Sequence, residues 1–198
     1  IKVINRGRRQ PTLTAPWHTL MMRDNYQTRV LHAFIPVITG QSFRINLMSY
    51  SIALHILAAV IWVGGMFFAY NALRPAAAQV LEPPLRLELW VQVFRRFFVW
   101  VWLSVAVILL TGYWMLFQYF GGFASAGKHI HIMHGGGILM VLIYMHVFFA
   151  PYRRLRQAFI VQDYPLAGAQ LNMIRKLVGI NTVLGLLVIT VASAGRYL

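Results

Sequence analysis

The residues best able to do chemistry in this chain are histidines, and they concentrate in one apolar stretch. Of the first seven residues of Lys128–His146 (KHIHIMHGGGILMVLIYMH), three are histidines: His129, His131 and His134. Ionisable side chains in a membrane segment are costly, so they pair or bind something. On an α-helix His131 and His134 fall on nearly one face, whereas His129 points elsewhere. Gly135, Gly136 and Gly137 follow at once, and such small residues let a flat or bulky group come close to the backbone. Imidazole ligates haem iron and copper alike. The plainer reading of the same histidines is an interfacial group hydrogen-bonded to water.

The other common chemistries are excluded or disfavoured. There are no cysteines, which removes disulfides, zinc-thiolate sites, iron–sulfur clusters and thiol nucleophiles. The four acidic residues, Asp24, Glu82, Glu88 and Asp163, all lie outside the apolar runs. Paired-carboxylate catalysis and carboxylate calcium sites are therefore not expected.

Membrane helices must position the histidines. The 198 residues are 59% hydrophobic and 11% charged, against about 25% charged in a soluble domain. The expected fold class is all-α, an integral membrane four-helix bundle with a basic N-terminal tail. Residues 1–47 hold three prolines, a basic excess and no long apolar run, and read as a weakly structured tail. Residues 48–198 read as the transmembrane domain, with helices expected at about 48–73, 97–120, 128–150 and 177–194, each close to the length of a bilayer crossing. The stretch from Arg74 to Arg96, with Pro75, Pro83 and Pro84, reads as a loop ending in an amphipathic turn. The net charge of +14 flanks apolar segments, so anionic lipid headgroups are the expected partner and nucleic acid is not. Arg74, Arg86, Arg95, Arg96, Arg153, Arg154, Arg156, Arg175 and Lys176 flank one side of the core. With the tail set aside, the positive-inside rule places both ends of the core outside the cytoplasm, in a bacterial inner (plasma) membrane.

Helices one and three then run in the same direction. His55 lies seven residues past Met48 and His134 six past Lys128, about 10 and 9 Å down at about 1.5 Å per residue. Two histidines at one depth on different helices of a bundle suit bis-histidine ligation of a b-type haem. His131, about 4.5 Å nearer the surface, competes with His134 as axial ligand. Trp62 shares the face of His55, and Lys128, Arg44 and Arg196 are cations available to propionates. His146 lies about 18 Å beyond His134, has no histidine at its own level, and reads as snorkelling to the far interface. His18 and His32, in the tail, receive no role. Copper is the rival occupant, with His55, His131, Met133 and His134 as imidazole and thioether donors.

His55, followed after six residues by Trp62-Val-Gly64-Gly65, then Arg95-Arg96-Phe97 and Gly112, resembles the copper-resistance D (CopD) family of bacterial inner-membrane proteins. The segments Lys128 to Gly135, Pro151 to Arg154 and Leu171 to Asn181 resemble short members of that family, so the likeness covers about residues 48–198. It implies copper handling, framed as copper passage into the cytoplasm. The histidine and Trp-Gly pattern of helix one is also similar to HemJ-type protoporphyrinogen oxidases, four-helix haem proteins, although those lack the His-x-His-x-x-His run. The leading expectation is a haem-b electron-transfer protein with His55 and His134 or His131 as ligands. Gly135 and Lys128 would lie near the cofactor, and a quinol or other membrane donor and a periplasmic redox partner would exchange electrons with it. Copper uptake without haem, tetrapyrrole oxidation, and an accessory role in a larger respiratory membrane complex are the alternatives.

Overall fold

A computed structural model describes residues 46–195 of the chain, and the tail with Arg44, His18 and His32, as well as Arg196, lies outside the described residues. The described residues are helical apart from short links, with no strand among them. The helices are α1 (Asn46–Val80), α2 (Pro83–Gln118), α3 (Lys128–Phe149), α4 (Pro151–Ile160) and α5 (Tyr164–Ala194). Four helical stretches are long and apolar enough to cross a bilayer: α1, α2, α3 continued by α4, and α5. The protein is a multi-pass, all-α membrane bundle.

Three of the helices are longer than the apolar runs that mark them in the sequence. The stretch from Arg74 to Arg96, expected as a loop, is helical except at Leu81 and Glu82. Pro83 causes that break, because the residue before a proline is driven to extended backbone; Glu82 has φ −61° and ψ 155°. Pro83 and Pro84 then occupy the first turn of α2, where a missing N–H costs nothing. Beyond them Leu87, Trp90, Phe94, Phe98, Val101 and Val105 are buried at the three- and four-residue spacing of one helix face. The lower end of α5 follows the same logic. Asp163 caps it by accepting the Leu166 N–H at 3.0 Å, and Ala167, Leu171 and Ile174 bury one stripe ahead of the apolar run. Helix α1 carries two π-helical turns, Val60–Gly64 and Ala69–Leu73. The second directly precedes Pro75, whose ring and absent N–H disrupt the regular hydrogen-bond ladder.

Helices α3 and α5 pack most extensively, and small residues allow it. A Cβ on Gly136 would stand 2.6 Å from Val188 Cγ2, and one on Gly185 would stand 3.0 Å from Met140 Cε of α3 and 2.8 Å from Val63 Cγ2 of α1, so side chains are excluded where these helices approach. Edge-to-face aromatic contacts tie α2 to α3 and α4: Phe98 meets Tyr144 at 5.6 Å and Tyr152 at 4.8 Å, and Trp102 meets Phe148 at 5.6 Å. Tyr144 also donates its hydroxyl to the Phe98 carbonyl at 3.1 Å. The link between α2 and α3 turns at Gly121 and Gly122, with φ of +69° and +85°, values that L side chains rarely adopt.

Candidate metal centre

His55 comes from α1, and its imidazole lies against α2 at the one position where α2 has no side chain. A Cβ on Gly112 would stand 3.2 Å from His55 Cε1. One residue earlier, Thr111 fixes the ring. Its Oγ1 lies 2.9 Å from His55 Nδ1 and 2.6 Å from the Val107 carbonyl. The carbonyl can only accept, so the single hydroxyl proton goes there and the hydroxyl oxygen accepts from Nδ1–H. The neutral ring therefore carries its lone pair on Nε2, the arrangement that a hydrogen bond to the other ring nitrogen sets for a metal-binding histidine.

His134 comes from α3 and also meets α2. The Tyr113 hydroxyl lies 3.0 Å from His134 Nε2, and the Phe123 ring crosses the imidazole edge-on at 5.0 Å. His55 and His134 thus bond to side chains two residues apart on the same helix. They line one cavity of about 100 Å³ together with Trp62, Met133, Tyr113, Gly112 and Gly137. The cavity wall is otherwise aliphatic, from Ile108, Leu109, Leu116, Ile130, Ile138 and Val141. Two imidazoles and one thioether, with no carboxylate or thiolate beside them, form a donor set suited to a soft, singly charged cation.

The other residues expected at the site lie elsewhere. His131 is exposed and meets the Phe123 ring at a tilt, 6.1 Å between centroids; three residues of helix turn it about 60° from His134 and set it about 4.5 Å along the axis, off the cavity lining. Lys128 is exposed at the first residue of α3. Gly135 is exposed with nothing within 4 Å of its Cβ position; among the three glycines Gly137 borders the cavity and Gly136 serves packing. His146 is exposed in the last turn of α3, away from the cavity. No group of three or more His, Asp or Glu residues converges among the described residues. Thr111 and Tyr113 are the residues of the candidate site that sequence reasoning missed, and their one signal is a pair of hydroxyls flanking Gly112 within an apolar run.

A second, larger cavity of about 390 Å³ lies between α1, α2, α3 and α5 and is almost wholly apolar. Trp62, buried at 3% exposure, borders both cavities.

A family model described as Copper resistance protein D (CopD) matches residues 91–194. The matched stretch contains Thr111, Gly112, Tyr113, Met133 and His134, whereas His55 and Trp62 precede it. No curated protein and no solved structure matches the chain.

Proposed function

The chain belongs to the copper resistance protein D family, and from that premise we propose that it binds copper as cargo within the membrane, through His55, His134 and Met133. The observation that carries the reading is the single cavity bordered by all three side chains. Thioether and imidazole select Cu(I) among the biological divalent and monovalent metals. None of the three donors is an anion, so the ion enters an apolar wall with no carboxylate or thiolate to offset its charge. Thr111 accepts from His55 Nδ1–H, which puts the ring's lone pair on Nε2. His134 Nε2 is engaged by Tyr113, so a metal bound at that nitrogen displaces the tyrosine hydroxyl, and Tyr113 acts as the latch on the third-helix ligand.

Anaerobic competition with a chromophoric Cu(I) chelator tests this. About one equivalent per chain is expected, with X-ray absorption reporting nitrogen and one sulfur neighbour. His55→Ala and His134→Ala should each abolish stoichiometric binding. Wild-type affinity in both variants would remove the proposal.

Ligation of b-type haem by His55 and His134, with electron transfer to a redox partner, is the second reading. It is favoured by the contacts of the two rings with Thr111 and Tyr113 at one level of α2. The cavity of about 100 Å³ is well below the roughly 300 Å³ at which sites for organic ligands begin. That size weighs against a porphyrin at this position. A reduced-minus-oxidised spectrum of the purified protein separates the two readings. Residence in a bacterial inner membrane, with both ends of the core on the non-cytoplasmic side, belongs to the same proposal. Its support is the clustering of basic residues on the links at the Arg74 and Arg175 end.

A further inference from the structure

The 390 Å³ cavity has the size of a small-molecule site, and its chemistry is distinct from that of the histidine cavity. Its walls are aromatic, with Trp62, Phe94, Phe97, Phe98 and Tyr144 contributing rings from three helices. Gly65 is required for this shape, since any Cβ there would run into the Phe97 ring. Phe68 and Trp100 also border the cavity and are 60% and 57% exposed on the bundle surface. Both lie within spanning helices, so the cavity communicates sideways with the lipid phase. Arg96, exposed, stands on its border as well.

Apart from Arg96 at the border, one strongly polar group lines this apolar space. Asn181 is 3% exposed, and its Nδ2 donates to Met66 Sδ at 3.7 Å. A thioether accepts but cannot donate, which fixes the amide orientation and leaves Oδ1 as the acceptor. That Oδ1 is buried and has no partner. A buried acceptor in an apolar wall carries an unmet desolvation cost, and a ligand hydroxyl removes it. We propose that this cavity binds a membrane-soluble para-quinol, its ring between the aromatic side chains, one hydroxyl donated to Asn181 Oδ1, and its apolar tail leaving past Phe68 and Trp100 into the bilayer. The inference stands independently of which metal or cofactor the histidine cavity takes.

The test uses the full chain in lipid nanodiscs, with binding read from quenching of tryptophan fluorescence. The probes are a decyl-tailed benzoquinol and its analogue with both hydroxyls replaced by fluorine. The quinol should bind roughly five- to tenfold more tightly, the worth of one hydrogen bond to a buried acceptor. Asn181→Leu should bring the two probes within about twofold of each other, and Val178→Phe, which fills the cavity, should weaken both. Equal binding of the two probes to the unaltered protein overturns the proposal and needs no variant. So does unchanged quinol binding in a folded Val178→Phe protein, or displacement of the quinol by decanol at equal concentration, which would make the cavity an acyl-chain groove.

Discussion

The hydrogen bond between His55 and Thr111 makes a sharp demand on the copper proposal. Thr111→Val removes a hydroxyl and keeps the branched shape, so the packing of α2 against α1 is preserved. The lost bond from Thr111 to the Val107 carbonyl is no cost, since that carbonyl keeps its helical partner. What changes is the imidazole. The Nδ1–H loses its acceptor at 2.9 Å, the ring is free to rotate over Gly112, and the tautomer with the proton on Nε2 is no longer disfavoured. Loss of an outer-sphere partner of a metal-bound histidine weakens binding by roughly 10- to 100-fold, or about 1.4 to 2.8 kcal/mol. Thr111→Ser retains the acceptor and should stay within about threefold of the unaltered protein. The assay is Cu(I) competition at fixed pH, with thermal unfolding as a check on the fold. If Thr111→Val binds copper normally while His55→Ala does not, the tautomer argument is wrong. If Thr111→Ser is as damaging as Thr111→Val, the effect is packing and not the hydrogen bond.

Gly136→Val should weaken the bundle by about 1–3 kcal/mol, the usual cost of overpacking, because the Cβ position lies 2.6 Å from Val188 Cγ2; a shifted unfolding midpoint reports it, and no shift would mean that α3 and α5 can separate freely. His131→Ala and His146→Ala should leave copper affinity within about twofold, since neither ring borders the cavity; stoichiometric loss in either would relocate the site along α3. Residues 48–198 produced alone should insert and bind copper at the full-length affinity, checked by membrane fractionation and titration, and failure to bind after correct insertion would give the tail a part in the site.

A residue count along each helix anticipates His55 and His134 at a similar level, because helical rise is constant, and the two rings bond to Thr111 and Tyr113, two residues apart on α2. Azimuth was not legible in the sequence. Whether His131 or His134 faces α1 depends on how α3 is rotated against its neighbours, and no residue count gives that angle. Helix lengths were legible only where the apolar run and the helix coincide, as at Lys128. At Pro83 and Tyr164 the helix begins well before the membrane run, among residues with a buried stripe and a polar remainder, and hydropathy alone ends such helices too soon. Thr111 reads as an ordinary hydroxyl of a membrane helix, able to bond to its own backbone, and Tyr113 as one more aromatic in an apolar run. Their roles emerge only when α1 and α3 are brought against them. The same holds for Asn181, whose unmet acceptor is a property of what surrounds it.

Trp62 forms part of the wall of both cavities, and its indole also meets Tyr144 edge-on at 6.1 Å. A shared wall couples the two spaces to the extent that it moves. Any occupant of one that displaces the indole changes the free energy of filling the other. Linkage requires the factor to be identical in both directions: if copper alters affinity in the larger cavity by some ratio, an occupant there alters copper affinity by that same ratio. The sign of the coupling is then set by a single ring, through whether each occupant prefers the indole in the same position. Trp62→Phe, which shortens that wall while leaving His55, His134 and Asn181 in place, would bring the ratio towards one.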